Sequence, residues 1–435
     1  MTSPTSSCQV LVLGAGLTGM SAALQLESSG ADYLLLEREA VAGGHAVTVE
    51  EQGYRFDRTG HLLHLKDDRR RNRILQLLDE PPLEIHRQSL VYSERVFTRY
   101  PYQSNTFGLP RDVAYECVLG FLRAKMHPAT AKPRNFEEFC RIHFGDPIAE
   151  RFMLPYNGRL WGVAPREVTT EWCERFVPQP ELEDVLAGAF GVKTRELGYN
   201  VVGYYPRRGI GELSAALERR LRRIHRSVIP RRIDPVRRTC SLDDGTITYD
   251  RLISTLPLPA LLSLIDDLPQ TVLAATKNLR CSALYYLDVA LHRQPRLPFH
   301  WIYVPEERFP FYRVGNYAAF SADMAPAGAA NLYVELVERE MPQLDRLWPR
   351  VLAGLEEMGI IESPDDVAFH RLRHLSHAYV IYDDRRSPSL DVIQRYLTSV
   401  GIITTGRYGG WNYSSMEDAL RFGEEAVALV SSAQP

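Results

Sequence analysis

Val10-Leu-Val-Leu-Gly-Ala-Gly-Leu-Thr-Gly-Met-Ser-Ala-Ala-Leu24 is the stretch that decides the fold. Its opening, Val10 to Leu13, is apolar without a break, as a strand buried on both faces of a parallel sheet must be. Gly14, Gly16 and Gly19 follow at once, and Met20 to Leu26 carries helical spacing. A second apolar run, Tyr33-Leu-Leu-Leu36, ends in the acid Glu37. Strand, glycine turn, helix, strand and acid in that order form a βαβ unit of the dinucleotide-binding kind. Gly14 makes the tight turn, Gly16 lets a pyrophosphate approach the backbone, and Gly19 lets helix and strand close up. The helix N-terminus offers free N–H groups to phosphate, and Glu37 accepts from the ribose hydroxyls.

Working outward, a second glycine turn, Ala42-Gly43-Gly44-His45, follows the acid and leads to a hairpin-like stretch ending at Phe56-Asp57. A flavin, with its ribityl chain and ring, needs such additional backbone contacts more than a nicotinamide nucleotide does. At the far end of the chain, Thr405-Gly406-Arg407 precedes a helix beginning near Met416, a second N-terminus for a cofactor. FAD is therefore the expected cofactor.

The 435-residue length predicts more than one domain, and 45% hydrophobic with 24% charged residues excludes disorder, collagen and coiled coil. A formal net charge of −3 gives no bulk attraction to nucleic acid or an anionic membrane. Nine arginines crowd residues 219–238, but without interleaved aromatics they read as a solvated helix face and an exposed strand. The six cysteines show no CxxC pair or metal-like spacing, so thiols in a reducing cytoplasm are expected, with no metal site. No apolar run reaches the roughly 18–20 residues of a membrane span, and the N-terminus lacks the features of a signal peptide. The expected protein is soluble and cytoplasmic, with no nucleic-acid or membrane partner; a homo-oligomer is compatible with the sequence.

Buried-strand patterns recur at residues 246–256, 283–291, 331–337 and 401–405, with helices at 135–143, 170–176 and 416–431. The expected class is α/β: a Rossmann-type FAD-binding domain assembled from discontinuous segments, with an inserted helical region and an antiparallel-sheet substrate domain. The segments are 1–80, 201–260 and 386–435 for the FAD-binding part, 81–200 for the mainly helical insertion and 261–385 for the sheet domain.

Val12 to Gly19, Glu37, Gly43-Gly44 and Gly406-Arg407 resemble the FAD-binding fold shared by amine oxidases, protoporphyrinogen oxidase and UDP-galactopyranose mutase. The middle of the chain is more specific. Tyr100-Pro-Tyr-Gln-Ser-Asn105, Leu154-Pro-Tyr-Asn-Gly-Arg-Leu-Trp161, Trp172-Cys-Glu-Arg175, Phe309-Pro-Phe-Tyr-Arg313 and Gly406-Arg-Tyr-Gly-Gly-Trp-Asn-Tyr413 are similar, in order, to segments of the eukaryotic-type UDP-galactopyranose mutases.

The resemblance implies roles. Gly60-His61 matches the loop against the flavin ring, whose backbone contacts flavin N5; Tyr102, Gln103, Asn157 and Trp161 match the uridine pocket. Arg175 and Arg313 match the pair that clamps the diphosphate, and Tyr303, Tyr413 and Tyr379 match tyrosines beside it. Aromatic faces stack on a base, an amide pairs with its polar edge, and the planar guanidinium fork suits phosphate. Plainer readings stay open: Tyr100 to Tyr102 as an aromatic core segment, Arg175 as a surface residue on a helix, His61 as a structural loop histidine. His64, His374 and His377 carry no motif. The loop reads Thr59-Gly60-His61 where the family has Gly-Gly-His, and residues 314–320 depart from its pattern.

The activity implied is interconversion of the pyranose and furanose forms of a UDP-sugar through a covalent flavin N5–sugar species, redox-neutral but requiring reduced FAD, with NAD(P)H as reductant. The alternative is a flavin oxidoreductase acting on an amine, a porphyrinogen or a sugar carbon. A non-catalytic protein on the same fold is a third reading.

Overall fold

The structure, a computed structural model, describes residues 7–127, 130–192, 197 and 201–432. Residues 193–196 and 198–200, at the end of the expected helical insertion, lie outside the described residues.

Strand Ser7–Leu13 lies at the centre of the first sheet, parallel to Tyr33–Leu36 on one side and to Gly245–Ser254 on the other. Val10 and Val12 point to one face, where helices Leu17–Ser29 and Met416–Ser432 cover them; Leu11 and Leu13 point to the other. Both faces are dry, which is why the strand reads as continuously apolar. Besides Ser7–Leu13, the long strand Gly245–Ser254 serves two further neighbours. Its first half pairs antiparallel with Thr239–Leu242, and its second half pairs parallel with Ile402–Thr404. Segments from the start, middle and end of the chain thus form one sheet, which completes a Rossmann-type half from discontinuous pieces.

The second sheet has seven strands in the order Val367–Val380, Cys281–Leu291, Ala330–Leu336, Phe311–Asn316, Trp301–Tyr303, Ser89–Ser93, Val96–Arg99. It is antiparallel except at one junction, where Trp301–Tyr303 runs parallel to Ser89–Ser93. Those two strands come from distant segments, so no hairpin forces them antiparallel. The region 81–200 therefore contributes strands as well as helices. Its helices Arg111–Met126, Phe136–Phe144, Leu154–Trp161 and Leu182–Ala189 pack an aromatic core against the second sheet. Asn135 caps Phe136–Phe144 by accepting from the Glu138 N–H at 3.0 Å. A single π-turn over Ala149–Met153 leads into Leu154–Trp161 and turns the motif-bearing side chains of that helix inward.

A second difference concerns the boundary at residue 261. Helices Leu258–Leu262 and Gln270–Lys277 cover the Leu11/Leu13 face of the first sheet, because Leu261, Leu262, Val272 and Ala275 are buried there. They belong to the layers of that sheet and not to the second. The arginine-rich stretch is interleaved with acids: Arg219 pairs with Asp79, Arg222 with Glu27, Arg231 with Asp243 and Arg232 with Asp266. Among the described residues no helix is long and apolar enough to cross a membrane, and no group of three His, Cys, Asp or Glu could hold a metal.

Candidate active site

A cavity of about 1050 Å³ opens between the two sheets and the helical insertion. Gly14, Gly16, Glu37, Gly43, Gly44, Gly406, Arg407 and Met416 line it from the first sheet. The first glycine turn is built backbone to backbone. Gly14 N–H donates to Leu36 O at 2.8 Å, and Gly16 bridges Gly43 of the second turn. The Glu37 carboxylate is held by the N–H groups of Ala15 and Glu39, at 2.8 and 2.9 Å. A Cβ on Gly16 would touch nothing nearer than Gly44 Cα at 4.0 Å, so the fold leaves room there. Gly19 is different: a Cβ would meet Gly14 O at 1.9 Å, and the residue does not line the cavity. The close approach is that of helix to strand.

Two further observations fit a dinucleotide with a diphosphate. The His45 Nδ1 atom is buried without a hydrogen-bond partner. Arg407 is half-buried and has no carboxylate partner among the described residues; it donates to Ser414 O at 2.7 Å and Ala378 O at 3.0 Å. At the start of helix Met416–Ser432, Ser415 and Asp418 form a reciprocal cap, with the Ser415 N–H donating to Asp418 Oδ2 at 2.8 Å. FAD fits this half of the cavity.

The Thr59-Gly60-His61 loop lies across the middle. Thr59 has φ +68°, the left-handed region that a β-branched residue rarely adopts. The strain is opposed by Tyr317, whose hydroxyl donates to Asp57 O at 2.7 Å. Gly60 presses on the Tyr333 hydroxyl, where an added Cβ would stand 2.2 Å away. His61 Nδ1–H donates to Thr59 O at 3.2 Å, leaving Nε2 as an acceptor. Burial pushes the His61 pKa down to about 4, so the ring is neutral at pH 7.

The other half of the cavity is aromatic and hydroxylated. Gln103, Asn157, Trp161, Tyr303, Arg313, Tyr379 and Tyr413 line it as expected, together with Tyr156 and Tyr333, which sequence reading missed. Gln103 Nε2 donates to Pro178 O at 2.7 Å, which fixes the amide and leaves the buried Oε1 without a partner. Asn157 Nδ2 donates to Met153 O at 2.7 Å, and Trp161 meets Trp172 edge-on at 4.9 Å. Arg313 donates to Tyr379 Oη at 3.1 Å and is paired with the buried Glu335. Tyr379 and Tyr413 stand nearly parallel, 6.1 Å apart.

Two expected positions are corrected. Tyr102 is fully buried and stacked on Phe152 at 5.2 Å, outside the cavity. A 3₁₀ turn begins at Tyr102 and carries its ring into the core, so Tyr100 faces the cavity instead, 4.7 Å from Tyr303. Arg175 does not line the cavity either. Its side chain is 54% exposed and donates to both Asp418 oxygens, at 2.7 and 2.8 Å; helix Cys173–Phe176 buries Cys173 in the core and brings Phe176 to the cavity wall.

The chain matches the model of the flavin containing amine oxidoreductase family over residues 17–431. Its structure is similar to that of reduced UDP-galactopyranose mutase, with a TM-score of 0.91 and 25% identity over 98% of this chain and 96% of that one. A candidate protoporphyrinogen oxidase from an Exiguobacterium species gives a TM-score of 0.75 at 16% identity, covering 99% of this chain and all of its own. Putrescine oxidase bound to putrescine gives 0.66 at 15% identity, over 99% of this chain and 100% of that one. These two share the fold alone. Among curated relatives, carotenoid 3,4-desaturase of Haloarcula japonica is 46% identical over 55 residues and phytoene dehydrogenase of Streptomyces griseus 43% identical over 58. Each match spans 13% of this chain and only 11% of the relative's length. Because the family match takes in Glu37, the His61 loop and the Gly406-Arg407 turn along nearly the whole chain, this protein belongs to the flavin containing amine oxidoreductase family.

Proposed function

We propose that the protein is a nucleotide-sugar mutase, interconverting the ring forms of a UDP-galactose-like substrate on reduced FAD, with NAD(P)H as the reductant. The observation that carries this reading is the fixed amide of Gln103. One N–H of that amide is spent on Pro178, which orients the group and leaves the buried Oε1 as an acceptor without a partner, suited to a base edge bearing N–H, as uracil's does. Tyr100 supplies an aromatic face in the same part of the cavity.

Bound FAD supplies the electron-rich centre and the redox reservoir, and no side-chain nucleophile is needed beside it. The residues of this chain orient and stabilise. Arg313 keeps one guanidinium nitrogen, Nη1, free of Glu335 and Tyr379 for a phosphate oxygen. The hydroxyls of Tyr303, Tyr333 and Tyr413 suit sugar and phosphate oxygens. His61, neutral, offers a lone pair and no charge.

The competing reading is oxidation of a small molecule. An amine is disfavoured by Arg407, whose guanidinium already lies 5.0 Å from the Tyr413 ring and 5.8 Å from the Tyr379 ring, where it would repel an ammonium group. The deciding experiment is anaerobic incubation of dithionite-reduced protein with UDP-galactose, followed by chromatography of the nucleotide sugars. A new furanose peak formed catalytically is the expected result. Stoichiometric oxidation of a substrate with no ring isomer would overturn it and establish the oxidoreductase.

A further inference from the structure

Arg58 lies in the same cavity wall, outside every motif described so far. Its Nη1 donates to Gly44 O at 3.0 Å, on the second glycine turn. Gly44 in turn stands against Gly16, at the position where the first turn leaves room for a diphosphate. Among the described residues no carboxylate pairs with Arg58, unlike Arg373, which has Asp288, and Arg313, which has Glu335. A guanidinium has five N–H donors, and the Gly44 carbonyl occupies one of its nitrogens, leaving the others available. The neighbouring His45 also presents a buried Nδ1 without a partner. Burial, with the Arg58 charge adding to it, pushes the His45 pKa down to about 3, so that ring supplies no charge.

The arrangement leaves a cation pinned by one hydrogen bond to a glycine turn, facing space that the fold keeps open, with no carboxylate partner among the described residues. A half-buried guanidinium oriented by that bond and facing the cavity is placed to meet a ligand anion. We infer that Arg58 is a cofactor-binding residue: its guanidinium donates a charge-assisted hydrogen bond to a diphosphate oxygen of FAD, fixing the cofactor between the two glycine turns. This inference rests on the FAD assignment and not on the identity of the substrate.

The test is FAD binding to apoprotein, followed by flavin fluorescence across a series of salt concentrations, for the parent, Arg58→Gln and Arg58→Lys. Glutamine keeps a donor for the Gly44 carbonyl but removes the charge. Loss of one charged hydrogen bond to phosphate should weaken FAD binding roughly ten- to a hundredfold. The salt dependence should flatten, since one screened interaction is gone. Lysine should recover part of the affinity and the steeper salt dependence. Far-ultraviolet circular dichroism and the apoprotein melting temperature show that each variant is folded. A folded R58Q that binds FAD within twofold of the parent overturns the inference. So does an R58Q weakened to the same degree at every salt concentration, which would make Arg58 a peg for the Gly44 carbonyl. A parent apoprotein that binds no FAD would overturn the cofactor assignment itself.

Discussion

Arg313 turns two of its three guanidinium nitrogens, Nε and Nη2, onto the carboxylate of Glu335, which has no exposed side-chain surface. The pair spans adjacent strands at directly opposed positions, Arg313 on Phe311–Asn316 and Glu335 on Ala330–Leu336. Its geometry is therefore set by sheet register and not by flexible side chains. The carboxylate holds the guanidinium plane still and offsets its charge, so a ligand phosphate meets a preoriented donor and not a bare cation.

Removing one partner of this pair should be worse than removing both. Arg313→Met leaves a buried carboxylate unpaired and should cost about 3–5 kcal/mol of stability. Adding Glu335→Gln removes the stranded charge, and the double variant should regain about 1–3 kcal/mol of that loss. Urea unfolding of the FAD-loaded single and double variants measures the cycle. Additive losses would mean that the two groups are independent and that the pair is incidental.

The exchange of roles between Tyr100 and Tyr102 gives a second test. Tyr102→Ala removes a fully buried ring and should cost about 3–5 kcal/mol of stability. Tyr100→Ala should leave the fold nearly unchanged and weaken UDP binding by about tenfold, the scale of one lost base stack. Calorimetric titration with UDP and thermal melts of both variants separate the two. Equal loss of UDP affinity with an unchanged melting point for Tyr102→Ala would return that residue to the ligand.

What could be read from the chain, and what could not, divides along local and distant contacts. The strand Val10 to Leu13 and the acid Glu37 were legible because a doubly covered strand and a glycine turn impose residue types within a few positions. The seven-stranded sheet was legible in part, since the strand from 281 to 291 carries its own apolar pattern. Its parallel junction with Ser89–Ser93 was not, because nothing near residue 89 records a neighbour beyond residue 300. Arg175 sits in a recognisable motif, yet its partner Asp418 lies far along the chain and simultaneously caps another helix. Tyr100 and Tyr102 have the same chemistry; only the onset of a 3₁₀ turn decides which ring turns inward. Arg58 left no signal at all, because its meaning depends on a carbonyl of a glycine turn brought back against it by the fold.

Asp57 links the His61 loop to pH. It is buried and accepts from Thr48 Oγ1 at 2.6 Å, Ile210 N at 3.1 Å and Tyr205 Oη at 2.7 Å, yet burial pushes its pKa up to about 7. The unfolded carboxyl titrates near 3.9, so between about pH 4 and pH 7 the native state holds a proton that the unfolded chain has released. This contribution to stability is present at low pH and is lost as pH rises towards about 7. Asp57→Asn should make the fall in melting temperature over that range shallower, although the variant itself is less stable. The Tyr205 hydroxyl can rotate to accept from the new amide, which limits the damage. Melting curves of FAD-loaded parent and variant from about pH 5 to pH 8 provide the check, and parallel profiles would show that Asp57 does not titrate there.

Gly16 and Gly19 belong to one fingerprint, but the structure gives them opposite consequences when a methyl group is added. At Gly19 the new Cβ would stand 1.9 Å from Gly14 O, a backbone atom that cannot move without opening the helix–strand contact. Gly19→Ala should therefore fail to fold, or fold with a loss above about 4 kcal/mol, the range reserved for gross steric or backbone damage. At Gly16 the same atom would find its nearest neighbour at 4.0 Å, ordinary van der Waals contact, and the backbone there has a negative φ of −73° that alanine adopts freely. Gly16→Ala should fold with a melting temperature of the apoprotein close to the parent's. What the methyl group fills is the space through which a pyrophosphate reaches the turn, so the cost should fall on FAD. A gap in FAD affinity of at least about tenfold, equivalent to about 1.4 kcal/mol, is the expected result. Absorption spectra of the purified variant report cofactor content, and the apoprotein melt reports the fold. A well-folded Gly16→Ala that retains stoichiometric FAD would show that the diphosphate does not pass over this glycine, whatever holds the cofactor elsewhere.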